Sequence, residues 1–271
     1  LWKTDVEHVN DSLIDSPHLM LLGSILNEAT HNTTVLGAGI VSNLKEFSDS
    51  CDFISVRGKL TRWRLAAMGK DVSNIRLGDP AVTLPKIYSQ PAGKKYRISI
   101  VPHWIDYGKV LNDYSNLNIL SLRIPSSDFF TKDMLLVNKQ VIAKQFEERY
   151  IEYLIDEISQ SEIIVTSSLH SLIVAHAYGV KTVWCKFSNN VIGGEYKFRD
   201  YFSANTNRYR KIKCLNMIDK TYSVEDFEKL AFSLDVSKST DSVYSLLTDF
   251  GQTINKKFFI RSEEHTSELQ S

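Results

Sequence analysis

Short apolar runs alternate with amphipathic segments along the first part of the chain. Four of these runs have the length and composition of buried strands, and they occupy residues 19–22, 34–36, 53–56 and 75–77. Between the last two, apolar positions recur at helical spacing over residues 60–68 and stop at Gly69. The pattern therefore predicts a layered arrangement of strands and helices.

A second set of elements follows a polar, turn-rich stretch at residues 89–95, which predicts a linker. Strands are predicted at residues 96–101, 117–122, 163–165 and 181–185. Helices are predicted at residues 141–159, 169–178, 224–230 and 240–253. This alternation indicates an α/β fold with mostly parallel sheets. We expect two Rossmann-like halves, residues 1–92 and 93–260, which face a cleft and bind ligands at the carboxyl ends of their strands.

The composition narrows the classes of protein and partner. Of the 271 residues, 43% are hydrophobic, which is enough for the core of one large or two medium domains. The 32 basic and 32 acidic residues balance, so no charge excess favours nucleic acid or an anionic membrane as a partner. No apolar run has the length of a membrane span. The three cysteines are far apart and show no CxxC spacing, which argues against a disulfide framework or a zinc site and favours a reducing cytoplasm.

The two ends of the chain are atypical. Residues 261–271 read as the conceptual translation of a common sequencing adapter, so we expect a non-native tail there and exclude it from the fold. The sequence begins at Leu1 rather than at a methionine. We therefore expect a fragment at both ends.

The stretch from residue 163 to residue 180 carries the strongest functional signal. A β-branched run predicts a buried strand, Thr166, Ser167 and Ser168 offer N-capping oxygens, and the following helix ends at Gly179. His170 falls in the first turn of that helix, where backbone N–H groups and the helix dipole favour an anion. The pattern predicts an anion site beside a side chain that can carry a proton.

Three loops at the predicted strand ends of the first half are further candidates. Gly37 and Gly39 follow a strand and permit either close approach to a ligand or simply a tight turn. Arg57 leaves the next strand, where its guanidinium can hold a carboxylate or phosphate or form a surface ion pair. Asp79 lies in Leu-Gly-Asp-Pro-Ala, either as a ligand residue or as a turn residue.

Two loops of the second half are also candidates. His103 directly follows a predicted strand, and we expect it to face the His170 loop across the cleft. His170 and His176 are six positions apart and point to different faces of an ideal helix, which argues against a shared metal. Lys197 follows a glycine pair in a predicted loop whose neighbouring polar residues are Arg199, Asp200 and Tyr201.

Several short sequence motifs, taken in order along the chain, resemble those of the polysaccharide pyruvyltransferase family from about residue 21 to residue 205. The motifs are Gly-Ser-Ile-Leu, Leu-Gly-Ala-Gly, Val-Arg-Gly, Leu-Gly-Asp-Pro-Ala, Val-Pro-His, Thr-Ser-Ser-Leu-His and Lys-Phe-Arg-Asp-Tyr-Phe. The resemblance implies an enzyme that transfers an enolpyruvyl unit from phosphoenolpyruvate to two hydroxyls of a sugar, making a cyclic ketal. It also implies a fold similar to GT-B glycosyltransferases, a sugar or lipid-linked oligosaccharide acceptor and no cofactor. The expected location is the cytoplasm or the inner face of the membrane.

The resemblance also suggests roles for individual residues. His170 would bind the donor and act as its general acid, and His103 would face the acceptor or serve as general base. Either Arg57 or Arg123 would hold the donor carboxylate, and the sequence leaves both open. The anion pocket would be shaped by Thr166, Ser167, Ser168 and Leu169. Further substrate contacts would come from Gly37, Gly39, Asp79 and Lys197.

Two other functions stay open at this point. A glycosyltransferase that uses a nucleotide sugar would share the same architecture, because fold does not fix function. The chain could also be a binding-only or inactive fragment, since an Asn-x-Gly-Asp-like loop that usually opens the family would precede Leu1.

Overall fold

A computed structural model describes residues 7–8, 16–43, 47–48, 50–122, 139–253 and 259–261. Arg123 and residues 262–271 lie outside the described residues, so the expectations for them remain predictions. The chain forms two compact units. Unit 1 comprises Leu1–Tyr88, Ile192–Lys213 and Asp235–Ser271, and unit 2 comprises Ser89–Val191 and Cys214–Leu234. The predicted α/β class is confirmed, because each unit has its own parallel sheet together with helices. Two such units are compatible with the two halves of a GT-B-like architecture.

Unit 1 is built on a parallel sheet of six described strands in the order β1-β11-β2-β3-β4-β5. The strands are β1 (Glu7–His8), β2 (His18–Met20), β3 (Thr33–Leu36), β4 (Asp52–Val56), β5 (Arg76–Leu77) and β11 (Phe259–Arg261). The helices are α1 (Lys59–Ala67), α5 (Tyr196–Asn205) and α7 (Ser237–Thr253), with short 3-10 helices at Leu26–Glu28, Pro80–Lys86 and Tyr209–Lys211. Apolar side chains such as Val35, Val56 and Leu65 fill the core between the sheet and α1.

Unit 2 is built on a parallel sheet of five described strands in the order β10-β9-β8-β6-β7. The strands are β6 (Tyr96–Val101), β7 (Asn118–Ile119), β8 (Ser161–Thr166), β9 (Lys181–Lys186) and β10 (Leu215–Asn216). The helices are α2 (Tyr107–Asp113), α3 (Lys139–Ser159), α4 (Leu169–Ala177) and α6 (Val224–Leu230), with a 3-10 helix at Trp104–Asp106. The central strands β6 and β8 are buried along most of their length on both faces, as expected for a sheet covered by helices on each side.

The order of these strands contains one reversal. From β6 the chain adds β7 on one side, and it then returns to place β8, β9 and β10 on the other side of β6. The carboxyl ends of β6 and β8 therefore lie side by side at a topological switch point. In open α/β sheets this is where ligands bind, because the two diverging connections leave a crevice between them.

Most of the predicted elements are confirmed, with shifts of one to three residues at the ends. The prediction of a loop around Lys197 is wrong, because this segment forms the helix α5. Its buried residues Phe198, Tyr201 and Phe202 recur at the spacing of one helical face. Helix α2 and the strands β1, β10 and β11 were not predicted from the sequence.

Each unit is assembled from separate segments of the chain, so no single boundary position divides the sequence into the two units. The chain first passes between units at Tyr88 and Ser89, at the start of the predicted linker. Residues 192–213 nevertheless belong with the first part of the chain, because α5 packs against α1. Gly58 permits this approach, since a Cβ atom there would lie 1.8 Å from the carbonyl oxygen of Asp200.

Candidate active site

The turn between β8 and α4 is held by its own polar side chains. The Thr166 hydroxyl donates to the carbonyl of Val101 at 2.6 Å and accepts from the Ser168 N–H at 2.9 Å. Ser168 is the N-cap of α4, and its Oγ accepts from the Ser171 N–H at 3.5 Å. These hydroxyls satisfy backbone groups and fix the start of the helix. Their direct contact with a substrate stays a prediction.

Ser167 connects this turn to the neighbouring loop after β6. Its Oγ accepts from the backbone N–H of His103 at 2.9 Å and donates to Oδ2 of Asp106 at 3.4 Å. Ser167 and Asp106 are both 2% exposed, so this connection is shielded from water. The structure thus brings the His103 and His170 loops together at adjacent strand ends of one sheet, within unit 2.

The first turn of α4 has the backbone N–H groups that characterise a helix N-terminus. The initial N–H groups of an α-helix lack acceptors within the helix, and here the N–H of Ser171 is taken by the N-cap side chain. Leu169 is the first helical residue, and the partly exposed His170 is the second. A nine-residue helix whose dipole ends at this turn favours a bound anion next to His170.

Ser171 was not singled out from the sequence. Its side chain is 2% exposed, and its Oγ has no hydrogen-bond partner among the residues that the structure describes. In a helix the Cα–Cβ bonds tilt toward the N-terminus, so this hydroxyl leans back toward the first turn. A buried hydroxyl without a partner is costly unless a ligand or water completes it. The sequence does offer a signal for Ser171, because it is the third residue of a helix whose first turn is expected to bind an anion.

His103 is also part of a cap. It precedes the 3-10 helix Trp104–Asp106, and its Nδ1 accepts from the Ile105 N–H at 3.4 Å. Its ring lies 5.6 Å from the Trp104 ring, with 32° between the two planes. His103 is therefore held by its own loop, and the residue is partly exposed.

His176 has a structural role on the same helix. It is 2% exposed, and its Nε2 lies 2.8 Å from the Thr182 hydroxyl on β9. Burial disfavours the charged ring and lowers the pKa of His176 to about 3. Among the described residues no group of three or more His, Cys, Asp or Glu side chains could hold a metal ion.

This burial predicts that stability depends on pH through His176. The unfolded chain takes up a proton near the ordinary pKa of 6.5, whereas the folded chain takes it up only near 3. Stability is therefore fully present above pH 6.5 and falls toward pH 3, by about 1.4 kcal/mol per pH unit for this single proton. Urea unfolding of the chain and of His176→Gln between pH 5 and 7 measures the slope. The variant should lose that contribution, whereas an unchanged slope would show that His176 is not its source.

In unit 1, Arg57 is fully buried and its donors are engaged by the protein. Its Nε donates to Asp200 at 3.2 Å, and its Nη atoms donate to Ser24 Oγ at 2.7 Å and the Ile40 carbonyl at 2.8 Å. Asp200 also accepts from the N–H and hydroxyl of Thr61, at 2.9 and 2.7 Å. We name this group of four side chains, Arg57, Asp200, Ser24 and Thr61, the Arg57 network. Its contacts favour a structural role, and carboxylate binding by Arg57 stays a prediction.

In unit 1, local packing and capping explain the presence of Gly37, Gly39 and Asp79. Gly37 has φ +112°, and a Cβ there would lie 2.2 Å from the Pro80 ring. A Cβ at Gly39 would lie 2.5 Å from the Arg57 guanidinium. Asp79 caps the 3-10 helix Pro80–Lys86, accepting from the Ala81 N–H at 3.0 Å. A ligand role for any of the three is untested by these contacts.

Lys197 lies on α5 and is only 9% exposed. Its Nζ is 6.0 Å from the centre of the Phe198 ring. The structure therefore places the expected site residues in two groups. Unit 1 holds Gly37, Gly39, Arg57, Asp79 and Lys197, and unit 2 holds His103, Thr166, Ser167, Ser168, Leu169 and His170.

The three cysteines all lie among the described residues, and none forms a disulfide. Burial raises the pKa of the Cys185 thiol, which disfavours the reactive thiolate form. Within the described ranges, no helix combines the length and apolar character needed to cross a bilayer.

Comparison with known protein families assigns the chain to a class of transferases. The sequence profile described as polysaccharide pyruvyl transferase matches residues 9–189, which include the switch point and the whole β8–α4 turn. The chain belongs to the polysaccharide pyruvyl transferase family, so the resemblance carried by its motifs is confirmed.

Two relatives show how far the similarity extends. The chain is 26% identical over 259 residues to uncharacterized protein L143 of Acanthamoeba polyphaga mimivirus, covering 92% of this chain and 82% of that protein. It is 28% identical over 196 residues to succinoglycan biosynthesis protein ExoV of Rhizobium meliloti (strain 1021), covering 68% of this chain. The second alignment spans 52% of ExoV, about half of its length.

Proposed function

We propose that the chain transfers the enolpyruvyl unit of phosphoenolpyruvate to a sugar diol and forms a pyruvate ketal in cell-surface or exopolysaccharide biosynthesis. The observation that carries this proposal is the position of the first turn of α4, with His170, at the β6/β8 switch point of a polysaccharide pyruvyl transferase family member. The ExoV relative, named for succinoglycan biosynthesis, supports a polysaccharide context.

The donor has two anionic groups that need different partners. A phosphate suits the first turn of α4, because oriented N–H groups and the helix dipole stabilise negative charge without a conformational change. A carboxylate suits an arginine fork. Because the guanidinium of Arg57 already donates to protein acceptors, we assign the carboxylate to Arg123 in preference to Arg57.

The reaction balances with one proton transfer to carbon. His170, as imidazolium, gives a proton to the methylene carbon, which becomes the methyl group and leaves an oxocarbenium-like centre. One sugar hydroxyl adds to this centre, the C–O bond to phosphate breaks, and the second hydroxyl closes the ring. Of the two hydroxyl protons released, one restores His170 and the other leaves on hydrogen phosphate. The products are the ketal and inorganic phosphate.

A direct product assay tests this proposal. The chain is incubated with phosphoenolpyruvate and a panel of methyl hexopyranosides, and proton and phosphorus NMR follow the reaction. We expect a new methyl singlet bonded to a quaternary ketal carbon, formed in step with acceptor-dependent phosphate release. Sugar transfer from a uridine diphosphate sugar, without ketal formation, would instead favour the glycosyltransferase.

Ser171 gives a second test with a matched control. If its hydroxyl completes the donor site, Ser171→Ala should weaken phosphoenolpyruvate binding by about tenfold or more, as for other hydrogen bonds to charged groups. Stability should be unchanged or higher, because the removed hydroxyl has no partner among the described residues. Isothermal titration calorimetry measures the affinity.

The control is Ser55→Ala, which removes another buried hydroxyl without a described partner, on β4 of unit 1. This variant should bind phosphoenolpyruvate like the parent chain. Equal affinities for the parent and Ser171→Ala would exclude Ser171 from the donor site.

A further inference from the structure

Trp104 is exposed at the carboxyl end of β6. It is the first residue of the 3-10 helix that follows His103, and 40% of its surface is accessible although tryptophan is largely buried in most proteins. The loop that carries it also contacts the β8–α4 turn through Ser167. An exposed aromatic residue therefore lies on the loop that is bonded to the turn to which we assign the donor, and its ring lies 5.6 Å from that of His103.

The loop is fixed by hydrogen bonds on both sides of Trp104. Asp106, at the end of the 3-10 helix, and the backbone of His103, just before it, are both bonded to the buried Ser167. The Ile105 N–H is tied to His103 Nδ1. A loop whose backbone is already fixed loses little conformational freedom when it binds a ligand, so the exposed area of Trp104 can contribute to recognition.

The hydrogen bond from the Ile105 N–H to Nδ1 of His103 also determines which ring nitrogen of His103 carries the proton. A nitrogen that accepts a backbone N–H carries no proton, so the neutral ring holds its proton on Nε2. His103 therefore presents a hydrogen-bond donor rather than a base to a ligand on the Nε2 side. Of the two roles expected from the sequence, this geometry favours contact with the acceptor.

We propose that Trp104 and His103 form the acceptor platform of this enzyme and that its ligand is a pyranose ring. A pyranose has an apolar C–H face and a rim of hydroxyls, so it matches an aromatic face beside an N–H donor. The Trp104 indole lies against the C–H face, and His103 Nε2–H donates to a rim oxygen. This inference rests on the proposed function, because the family acts on polysaccharides.

Direct sugar binding to the whole chain tests the platform without requiring turnover. Saturation-transfer NMR and titration are run with methyl glycosides of glucose, galactose, mannose and N-acetylglucosamine. Trp104→Ala should weaken binding of the best glycoside about tenfold, and Trp104→Phe should recover most of the loss because it keeps an aromatic face. His103→Gln, which keeps an N–H donor, should bind better than His103→Ala.

Trp63→Ala is the matched control. Trp63 is 48% exposed on α1 of unit 1, so it tests whether any exposed tryptophan gives the same signal. Parent-like binding by this variant, together with the loss in Trp104→Ala, is the expected result. Equal binding by Trp104→Ala and the parent, or no binding of any glycoside, would overturn the platform.

A parallel titration with phosphoenolpyruvate separates the two proposals. If phosphoenolpyruvate binds normally while Trp104→Ala leaves sugar binding unchanged, the platform fails and the donor assignment stands. If sugars bind through Trp104 but phosphoenolpyruvate does not bind, the platform stands and the proposed donor fails.

Discussion

His170→Ala should lower turnover by about 10²- to 10⁴-fold, the usual contribution of a general acid or base. The expectation follows from the position of His170 as second residue of α4, partly exposed, at the end of a buried parallel strand. Because this side chain is not in the core, the variant should keep its fold. Steady-state kinetics with phosphoenolpyruvate and the best acceptor, beside a melting curve, measures both properties.

His31→Ala is the control for this variant. His31 is exposed in unit 1, so its removal tests the loss of a histidine away from the β8–α4 turn. Its turnover should equal that of the parent chain. If His170→Ala keeps full turnover, His170 has no part in the chemistry. If its melting curve collapses, His170→Gln separates the structural effect from the catalytic one.

Asp200→Ala should cost about 3–5 kcal/mol of unfolding free energy, because it leaves the buried Arg57 charge without its counter-ion. Both side chains are fully buried, and the carboxylate also holds Thr61 at the start of α1. The same substitution thus removes two of the hydrogen bonds between α5 and α1, while the bond from the Lys59 N–H to Ser203 remains. Urea unfolding at neutral pH measures the change.

Asp241→Ala provides the comparison, since Asp241 pairs with Lys86 on the surface, with side chains 72% and 48% exposed. Exposed pairs contribute about 1 kcal/mol or less, so this variant should be nearly as stable as the parent. Replacing both buried charges, in Arg57→Met with Asp200→Leu, should recover part of the loss. Similar stabilities for Asp200→Ala and Asp241→Ala would contradict the structural role of the Arg57 network.

The fold was predictable where its signal is local. Strands such as Tyr96–Val101 and Ser161–Thr166 are rich in β-branched apolar residues, and α4 is bounded by a serine cap and Gly179. Helix α5 was missed because Lys197, Arg199 and Asp200 give it the composition of a surface loop. Asp200 is buried only because its partner Arg57 lies 143 positions earlier in the chain. No local pattern reveals such a partner.

In the candidate site, too, the features with a local sequence signal were predicted and those that depend on distant residues were not. The sequence predicts a Thr-Ser-Ser turn that opens a helix at a strand end, and the structure shows this turn. It does not reveal that Ser167 bonds to His103 and Asp106, which are 64 and 61 positions away. Those bonds depend on the pairing of Val101 with Thr166, a register that follows from tertiary structure. The reversal of strand order that marks the ligand site likewise emerges only from the sheet.

Donor binding at the first turn of α4 is the central claim, and a thermal-shift titration tests it most directly. The whole chain and His170→Ala are titrated separately with phosphoenolpyruvate, uridine diphosphate and inorganic phosphate. A ligand at 100 times its Kd adds about 2.7 kcal/mol of stability, which is enough to raise the melting temperature measurably. The account predicts selective stabilisation by phosphoenolpyruvate that is lost in His170→Ala. Stabilisation by uridine diphosphate alone, or an equal response of both chains to phosphoenolpyruvate, would contradict it.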